Sequence, residues 1–455
     1  MAAAPVPVPV LVIAHQSPPL GGPGVRRVAS WMRAWPALGI EPALLTAPAE
    51  DGARFHGYAL VPGSDAALDG RRVVRVPTPG LGGFAGWLAR TAPPRVAWTL
   101  CPRALREPET PWGAPAIAAG LALAREVGAR VIVSSSQPYE AHAVGRAVAR
   151  RLRLPWVADF RDPMTEAEGR WWPSRLHWWA ERREERRWFA DADLVWATAE
   201  AAAARWRARF AAHAHHLRVR RNGVGALPPA DAAPPPPPLR IGHVGRFTDT
   251  AAGSRLRRFD FRPGREAGTG SHPRTLFDGL ARFLARRPEA RGRVTWVTVG
   301  PHGPADLAAP AGVVVEAHGV RPNAEALSIA ATCHALFLPL TVPPPSGSQF
   351  VQQKVYEYAA LGRPVVVIGE ANEATDVLGP LAARVPRGDA AAMADDVAAI
   401  LATLWASGPR APAPRPFPTQ ADVAAACAED LLALAAGRPP PADHDRPGVP
   451  VATRA

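Results

Sequence analysis

The sequence of 455 residues has very little lysine and cysteine and no long apolar run. Lys354 is the only lysine among 53 basic residues, and the three cysteines form no CxxC pair. That spacing argues against a cysteine zinc site and favours a reducing compartment. The apolar runs fall far short of the ~20 residues that a membrane-spanning helix needs. The run over 2–14 follows no basic residue, so we expect a core strand there rather than a secretory signal.

A net charge of +13 permits binding to nucleic acid or to an anionic membrane surface. Because the basic residues are nearly all arginine, we interpret this charge as compositional drift rather than as a dedicated polyanion surface. The surviving lysine is then informative, since a compact ammonium fits sites that a planar guanidinium does not. With 47% hydrophobic and 20% charged residues, the chain is not wholly disordered, collagen-like or a disulfide scaffold.

Short apolar runs alternate with helical stretches twice along the chain, which predicts two α/β domains with parallel sheets. Predicted strands lie at 8–14, 43–46, 131–134, 156–159, 194–198, 239–245, 293–300, 313–317, 335–339 and 364–368. Predicted helices lie at 25–38, 116–127, 140–152, 174–190, 273–286, 323–333, 352–361, 389–404 and 421–436. Five consecutive prolines at 234–238 can only be extended or turn.

We predict a first domain over 1–220, a second over 221–405, a C-terminal helical segment over 406–436 and a disordered tail over 437–455. Two doubly wound domains would face each other across a cleft at the carboxyl ends of both sheets, where ligands bind in such folds.

Glycines stand between the first predicted strand and the first helix, at Gly21, Gly22 and Gly24. Backbone there can approach a ligand closely, and a helix N-terminus favours an anion. Later in the chain, Arg246 follows Gly245 at a strand end, where a guanidinium is well placed to hold a phosphate. The alternatives are an ordinary βα turn and one more surface arginine.

The segment Asp159-Phe160-Arg161-Asp162 follows a predicted buried strand and brings two carboxylates and a guanidinium to the expected cleft. We favour a functional loop, and the alternative is a structural Asp–Arg network.

The most specific pattern is the run 346–367, in which a glycine-containing loop enters a helix that carries Lys354 and Glu357. Residues three apart share a helix face. A carboxylate can accept both hydroxyls of a ribose, and an ammonium can neutralise a phosphate. The alternative is a simple ion pair on a solvated face.

Together these motifs resemble the retaining glycosyltransferases of family 4, which have the two-domain GT-B fold. The likeness covers about 10–405 and rests on the strand–PP–GG–helix opening, the DFRDP loop, Asn222-Gly223, Gly245-Arg246 and the run 354–367. That run is similar to the branch that reads K-x-x-E-Y-x-A-x-G-x-P-V. The stretch 318–326 resembles the family's loop beside the nucleotide base.

The resemblance implies transfer of a sugar from a nucleotide diphosphate donor to an unidentified glycan, lipid-linked or small-molecule acceptor, with retention. It implies no metal and no other cofactor, since the nucleotide-sugar is a co-substrate. The expected catalytic residues are Arg246, Lys354 and Asp162. The expected donor-binding residues are Gly22, Gly24, Gly245, Arg246, Val320, Gln349, Lys354 and Glu357. The expected acceptor-side residues are Ser136, His142, Asp159 and Arg161.

Three features depart from the family pattern. Gln349 stands where the family often has a glutamate, eight residues before Glu357. The lysine that commonly follows the Gly-Arg pair is missing, and a basic insertion over 251–272 takes its place. An arginine of that insertion, Arg274 or Lys354 would replace it. A cleft histidine of the first domain is replaced within 134–139, and His142 follows on the next helix.

Two further patterns have bland explanations that we prefer. Asp191-Ala192-Asp193 matches a metal-binding DxD but lies at an ordinary strand edge, so we expect no metal site. The stretch 170–188 mixes Trp and Arg, which suits a membrane surface, but its glutamates favour a helix packed on its own domain.

We therefore expect a cytoplasmic enzyme that binds no nucleic acid, with peripheral contact to the inner membrane left open. The alternatives are a non-catalytic relative that keeps the nucleotide site, a basic membrane or nucleic-acid binder, and a GT-B sugar-nucleotide epimerase.

Overall fold

The structure is a computed structural model. It describes residues 6–56, 58–101, 107, 109–166, 172, 174–229, 239–247, 272–340, 351–408 and 411–441. The polyproline run, the basic insertion up to residue 271 and the tail beyond residue 441 lie outside the described residues, as does Gln349.

The described strands form two sheets of seven and six strands, and all the pairings within each sheet are parallel. The strands are β1 Val8–Ile13, β2 Ile40–Thr46, β3 Arg72–Arg75, β4 Val131–Ser135, β5 Trp156–Phe160, β6 Leu194–Ala197, β7 Leu217–Val219, β8 Leu239–Val244, β9 Val294–Val299, β10 Val313–Ala317, β11 Ala335–Pro339, β12 Val365–Ile368 and β13 Ala382–Val385.

Helices connect the strands in both sheets, as parallel pairing requires. They are α1 Pro23–Ala34, α2 Ala49–His56, α3 Gly83–Thr91, α4 Pro94–Leu100, α5 Gly113–Glu126, α6 Glu140–Leu152, α7 Arg175–Asp191, α8 Glu200–Arg209, α9 Arg274–Arg286, α10 Pro304–Leu307, α11 Asn323–Ala331, α12 Gln353–Leu361, α13 Glu373–Leu378, α14 Ala390–Ser407 and α15 Gln420–Ala435.

The strand order is β3-β2-β1-β4-β5-β6-β7 in the first sheet and β10-β9-β8-β11-β12-β13 in the second. Each order reverses direction once, between β1 and β4 and between β8 and β11. This is the doubly wound Rossmann-like arrangement, in which ligands bind outside the carboxyl ends of the strands at the reversal. The predicted fold class of two such domains is confirmed.

The described chain divides into two compact units. The first unit holds the described residues up to Asn222 together with those from Gln420 onward, and the second holds those from Gly223 to Thr419.

The C-terminal helix α15 is part of the first unit's core. The indole Nε1 of Trp35 donates to the Ala424 carbonyl at 3.0 Å, and that of Trp196 donates to the Asp430 carboxylate at 2.9 Å. Arg220 forms a buried ion pair with Asp430 at 2.8 Å. These contacts hold α15 although about two hundred residues separate it from β7 in the sequence.

In the second unit, α9 and α14 cover one face of the sheet. Their side chains Leu280, Phe283, Val397 and Leu401 pack with Trp296 of β9 in a single core cluster. By length and composition α14 is the one helix in the described part of the chain that could cross a membrane. One side of α14, with Val397, Ala398, Leu401 and Leu404, is buried in this core, while most of the helix is not buried.

Candidate functional site

The carboxyl end of β8 and the helix α12 bring together two of the predicted donor residues, Gly245 and Lys354. Lys354, in the first turn of α12, lies with its Nζ 3.4 Å from Nε2 of His243 on β8. Lys354 is half-buried. Burial lowers the pKa of its ammonium to about 8, and the charge of Glu357 opposes that shift. The single lysine of the chain is therefore held at the point where the strand order reverses.

Gly245 makes room for this lysine. Its φ is +108°, a conformation that other residues rarely adopt. A Cβ at this position would lie 3.1 Å from Lys354 Nζ and 3.4 Å from Cε. Glycine thus permits both the turn after β8 and the close passage of the lysine side chain.

His243 is the partner of Lys354 that the sequence did not predict. Its ring is 1% exposed, and its Nδ1 lies 3.0 Å from the Phe337 carbonyl oxygen. A carbonyl oxygen only accepts, so Nδ1 carries the proton and Nε2 is left as an acceptor for the ammonium. Burial, and then the charge of Lys354, lower the pKa of His243 well below its usual value.

Glu357 lies one turn further along α12 and is 1% exposed. Its Oε1 accepts hydrogen bonds from Nδ2 of Asn323 at 3.2 Å and from Nε2 of Gln353 at 3.4 Å. Asn323 begins α11, and the sequence did not single it out as a partner. The burial of Glu357 is the finding that overturns the alternative of an ion pair on a solvated face.

A second side chain ties α12 to the same strand end. The hydroxyl of Tyr358 accepts a hydrogen bond at 2.8 Å from the backbone N–H of Val244, the last residue of β8. Tyr358 is completely buried, and burial raises the pKa of its hydroxyl. Because Tyr358 lies four residues after Lys354, both side chains leave the same face of α12. This face is fixed against the strand end on which Lys354 lies.

Two other predicted donor residues of the second unit, Arg246 and Val320, lie on the surface. Arg246 is exposed directly after Gly245, and Val320 is 43% exposed in the loop between β10 and α11. Arg246 follows the carboxyl end of β8, and Val320 follows that of β10. The predicted donor residue Gln349 lies outside the described residues.

In the first unit, Asp159 at the end of β5 is completely buried. Arg27 of α1 donates to both of its oxygens, at 2.8 to 3.1 Å, and the hydroxyl of Ser135 donates at 2.7 Å. Burial lowers the pKa of Arg27, but the charge of Asp159 raises it, and the net shift of the pKa is upward. This is the structural Asp–Arg network that the sequence left open as the alternative to an acceptor contact.

Two further acceptor-side candidates are also buried. His142 is completely buried, its Nδ1 lies 2.9 Å from the Ser134 hydroxyl, and its ring packs 4.2 Å from that of Phe160. Ser136 is completely buried as well. His142 and Ser136, which we expected on the acceptor side, thus occupy buried core positions.

Arg161 and Asp162 form the half-buried loop after β5. Arg161 donates to the backbone oxygens of Ser136 and Gln137. A Cβ at Gly24 would overlap the Arg161 guanidinium, so a larger residue there would require that flexible side chain to move.

The carboxylate of Asp162 accepts from Nε2 of Gln137 at 3.2 Å. Burial raises the pKa of Asp162, and Arg161 opposes that shift.

The carboxylates of the DxD pattern both contact protein groups. Asp191 pairs with Arg146 and Arg150, and Asp193 accepts from the backbone N–H of Trp156 at 2.8 Å. Among the described residues, no group of three histidine, cysteine or acidic side chains is arranged to hold a metal ion.

The chain matches no protein-family model and no curated protein sequence. It does resemble solved structures along nearly its whole length. Sucrose-phosphate synthase from Thermosynechococcus elongatus aligns over 95% of this chain and 97% of its own, with 14% identity and a TM-score of 0.50. A putative UDP-N-acetylglucosamine 2-epimerase from Listeria monocytogenes aligns over 96% and 99%, with 8% identity and a TM-score of 0.51.

A third solved structure is that of MnaA from S. aureus with UDP, which aligns over 95% of this chain and 99% of its own. Its identity is 10% and its TM-score 0.50. With the two parallel sheets described above, these likenesses define the fold. The protein has the two-domain, Rossmann-like GT-B fold.

Proposed function

We propose that the protein is a glycosyltransferase that moves a sugar from a nucleoside diphosphate sugar to an acceptor hydroxyl. The observation that carries the proposal is the pairing of a buried carboxylate, Glu357, with a half-buried ammonium, Lys354, on one helix at the strand-order reversal of the second unit. Buried charges are costly, and they gather at functional sites more often than elsewhere. A nucleoside diphosphate offers the matching groups, which are two ribose hydroxyls and an anionic diphosphate.

In this proposal Glu357 accepts the ribose hydroxyls, and Lys354 and Arg246 bind the diphosphate. Backbone near Val320 contacts the base. As the bond between the sugar C1 and the diphosphate oxygen breaks, negative charge develops on the leaving diphosphate. A preorganised ammonium and guanidinium stabilise that charge where it forms. The acceptor oxygen bonds to C1, with retention if the family 4 likeness of the sequence holds.

The first unit is proposed to bind the acceptor, through the loop that carries Arg161 and Asp162. A carboxyl group whose pKa is raised by burial is suited to exchange a proton with an acceptor hydroxyl. Asp159, by contrast, has its oxygens engaged by Arg27 and Ser135, so we assign it to holding the loop.

We further propose that the protein acts in glycan or glycoconjugate biosynthesis in the cytoplasm and that its reaction needs no metal ion.

Helix α7 buries Glu185, Trp188 and Phe189 on one side and exposes Leu176 and Trp179 on the other. The buried side supports packing on its own unit, and the two exposed residues are the only part of α7 that we would assign to peripheral membrane contact.

The names of the solved neighbours support a nucleotide-sugar donor, since one is a sucrose-phosphate synthase and another was solved with UDP. Another neighbour is titled a putative UDP-N-acetylglucosamine 2-epimerase, so the assay must separate transfer from epimerisation.

The test begins with titration of the purified protein with UDP, GDP, ADP and their sugars by calorimetry. The variant Glu357→Gln keeps the size of the side chain but removes its charge. Since a hydrogen bond to a charged group contributes about 1.5–3 kcal/mol, we expect affinity to fall about 10- to 100-fold. Glu289→Gln, on an exposed carboxylate between α9 and β9 that pairs with Arg287, is the matched control and should bind as the wild type does.

Unchanged binding by a folded Glu357→Gln variant would contradict the donor site. A second assay incubates the bound nucleotide-sugar with acceptor mixtures and analyses the products. Glycosylated acceptor supports transfer, an isomerised nucleotide-sugar would replace transferase by epimerase, and intact donor after binding would leave a non-catalytic nucleotide binder.

A further inference from the structure

The contact between Lys354 and His243 is not explained by donor binding alone. An ammonium that binds a diphosphate needs only a clear path to it, yet here the amine lies 3.4 Å from a ring nitrogen of a side chain 111 residues away. The contact joins α12 to β8, and the proposed donor site depends on the position of these two elements relative to each other.

His243 is built to accept from this amine and not to donate to it. Donation from Nδ1 to the Phe337 carbonyl fixes the tautomer, and burial disfavours a second proton on the ring. The ring itself is held in place, because it stacks on Phe247 with 4.0 Å between centroids and 15° between planes. A rigid neutral acceptor thus faces a flexible four-carbon side chain.

The other charged and titratable groups around Lys354 come from several elements. Glu357 and Tyr358 lie on the same helix, Arg246 follows β8, and His302 lies in the loop after β9. The ring of His302 is 5.9 Å from that of His243, and its Nδ1 lies 3.0 Å from the Gly300 carbonyl. Glu357 favours the charged form of Lys354. His243 is the group whose hydrogen bond fixes the direction of the amine.

We propose that His243 is a positioning residue whose Nε2 lone pair holds the Lys354 ammonium beside Gly245, at the carboxyl end of β8. The inference rests on the proposed function in one respect, namely that this ammonium meets the diphosphate of the donor. We expect the hydrogen bond also to favour the charged form of the amine, because an acceptor stabilises an ammonium whose pKa burial lowers. Without it, Lys354 should lose its proton at lower pH and bind the diphosphate over a narrower pH range.

Three substitutions separate positioning from packing. His243→Phe keeps an aromatic ring of similar shape but removes the acceptor. His243→Asn can still donate to Phe337 but is too short to reach Lys354. His243→Gln places an amide oxygen near the position of Nε2 and keeps an acceptor. If His243 positions Lys354, the His243→Gln variant should behave most like the wild type. If His243 only fills space in the core, the His243→Phe variant should do so.

The first readout uses the fact that Lys354 is the only lysine. Protein labelled with [¹³C]lysine gives one lysine Cε signal, whose titration reports the pKa of Lys354 without any ligand. We expect a midpoint near 8 in the wild type. We expect it lower by about one pH unit in the Phe and Asn variants, and close to the wild type in the Gln variant.

The second readout is affinity for UDP, GDP and ADP at pH 6.5 and pH 8. For whichever of these the wild type binds, the Phe and Asn variants should bind about tenfold more weakly at pH 8, with a smaller loss at pH 6.5 where the amine stays charged. Wild-type midpoints and affinities in both the Phe and Asn variants would overturn the proposal, as would a Gln variant more impaired than the Phe variant. If the His243→Phe variant does not fold, the comparison of the His243→Asn and His243→Gln variants decides whether His243 positions Lys354.

The two proposals fail separately. If none of the three nucleotides binds the wild type, the proposed function is wrong, while the ¹³C titration still decides whether His243 governs Lys354. If nucleotides bind but the midpoint does not move in the Asn variant, the positioning role is wrong and the donor site stands.

Discussion

The two units bury charge in different ways. In the first unit, Asp159 is completely buried and meets the guanidinium of Arg27 at 2.8 Å with a second donor from Ser135. In the second unit, the buried carboxylate of Glu357 receives hydrogen bonds from two amides, and the ammonium of Lys354 faces a neutral imidazole. One arrangement pairs opposite charges in direct contact, and in the other these three hydrogen bonds come from neutral side chains.

This difference indicates which of the buried charges have a structural role. A buried ion pair with good geometry satisfies its own groups, and removing one partner leaves the other charge uncompensated. Charges that are held by neutral dipoles keep more of their electrostatic potential for a ligand, at a cost in stability that functional sites commonly carry. By this criterion we assign a structural role to the Asp159–Arg27 pair at the end of β5, and the motif on α12 is the one that we propose for the anionic donor.

Breaking the ion pair of the first unit should have the largest effect. Asp159→Asn keeps the shape of the side chain but leaves the Arg27 guanidinium buried without its counter-charge. Removing one partner of a buried pair typically costs about 3–5 kcal/mol, so we expect a large fall in the midpoint of urea unfolding. Glu126→Gln, which breaks an exposed pair with Arg72, is the control and should leave the midpoint unchanged.

A stability of Asp159→Asn equal to that of the control would mean that the β5 pair is not structural. The loop with Arg161 and Asp162 would then lose its anchor in our account, and the acceptor-side role of Asp159 would need to be reconsidered.

Exchanging the charged group of the second unit should have a smaller effect, and on activity rather than on stability. In Lys354→Arg the charge is kept, but the guanidinium is longer and planar, and the space beside Gly245 is already filled by Nζ and Cε. Since a misplacement of about 1 Å can cost about 100-fold, we expect turnover at least about tenfold lower, with the melting temperature within a few degrees of the wild type. Lys354→Ala should lower turnover further.

Arg287→Lys is the matched control, because it makes the reverse exchange at an exposed pair with Glu289. It should leave both turnover and melting temperature unchanged. Wild-type turnover in Lys354→Arg would show that the lysine is an accident of composition and that any cation serves at this position.

The sequence predicted every interior strand of the two sheets but only β10 among the four described edge strands. Helix α6 and the strands β10 and β11 have the predicted ends, because apolar runs between turn residues are strong signals. Strands β3, β7 and β13 were not predicted. Each is an edge strand of three or four residues, and β3 begins and ends with arginine, so hydrophobic periodicity could not reveal them.

The same limit applies to the site. The spacing of Lys354 and Glu357 defines one face of a helix, and this could be predicted from local geometry alone. Their partners His243 and Asn323 depend on the strand order and on where α11 begins. For His142 the sequence suggested an acceptor-side residue, because it follows a predicted strand. That position says nothing about the aromatic side chains of Phe160 and Trp188 that pack against its ring. Side-chain pairing across the sheet is a tertiary property that sequence spacing does not contain.

The smallest expected effect is that of removing metal ions. Asp191 and Asp193 already contact Arg146, Arg150 and the Trp156 backbone, which is the paired arrangement that marks structural carboxylates in the first unit. The diphosphate of the proposed donor would have Lys354 and Arg246 as its counter-charges. We therefore expect glycosyl transfer to proceed at the same rate in millimolar EDTA as without it. Loss of transfer in EDTA, followed by recovery with manganese or magnesium, would show that a cation binds with the donor and that the paired carboxylates of the first unit were wrongly set aside.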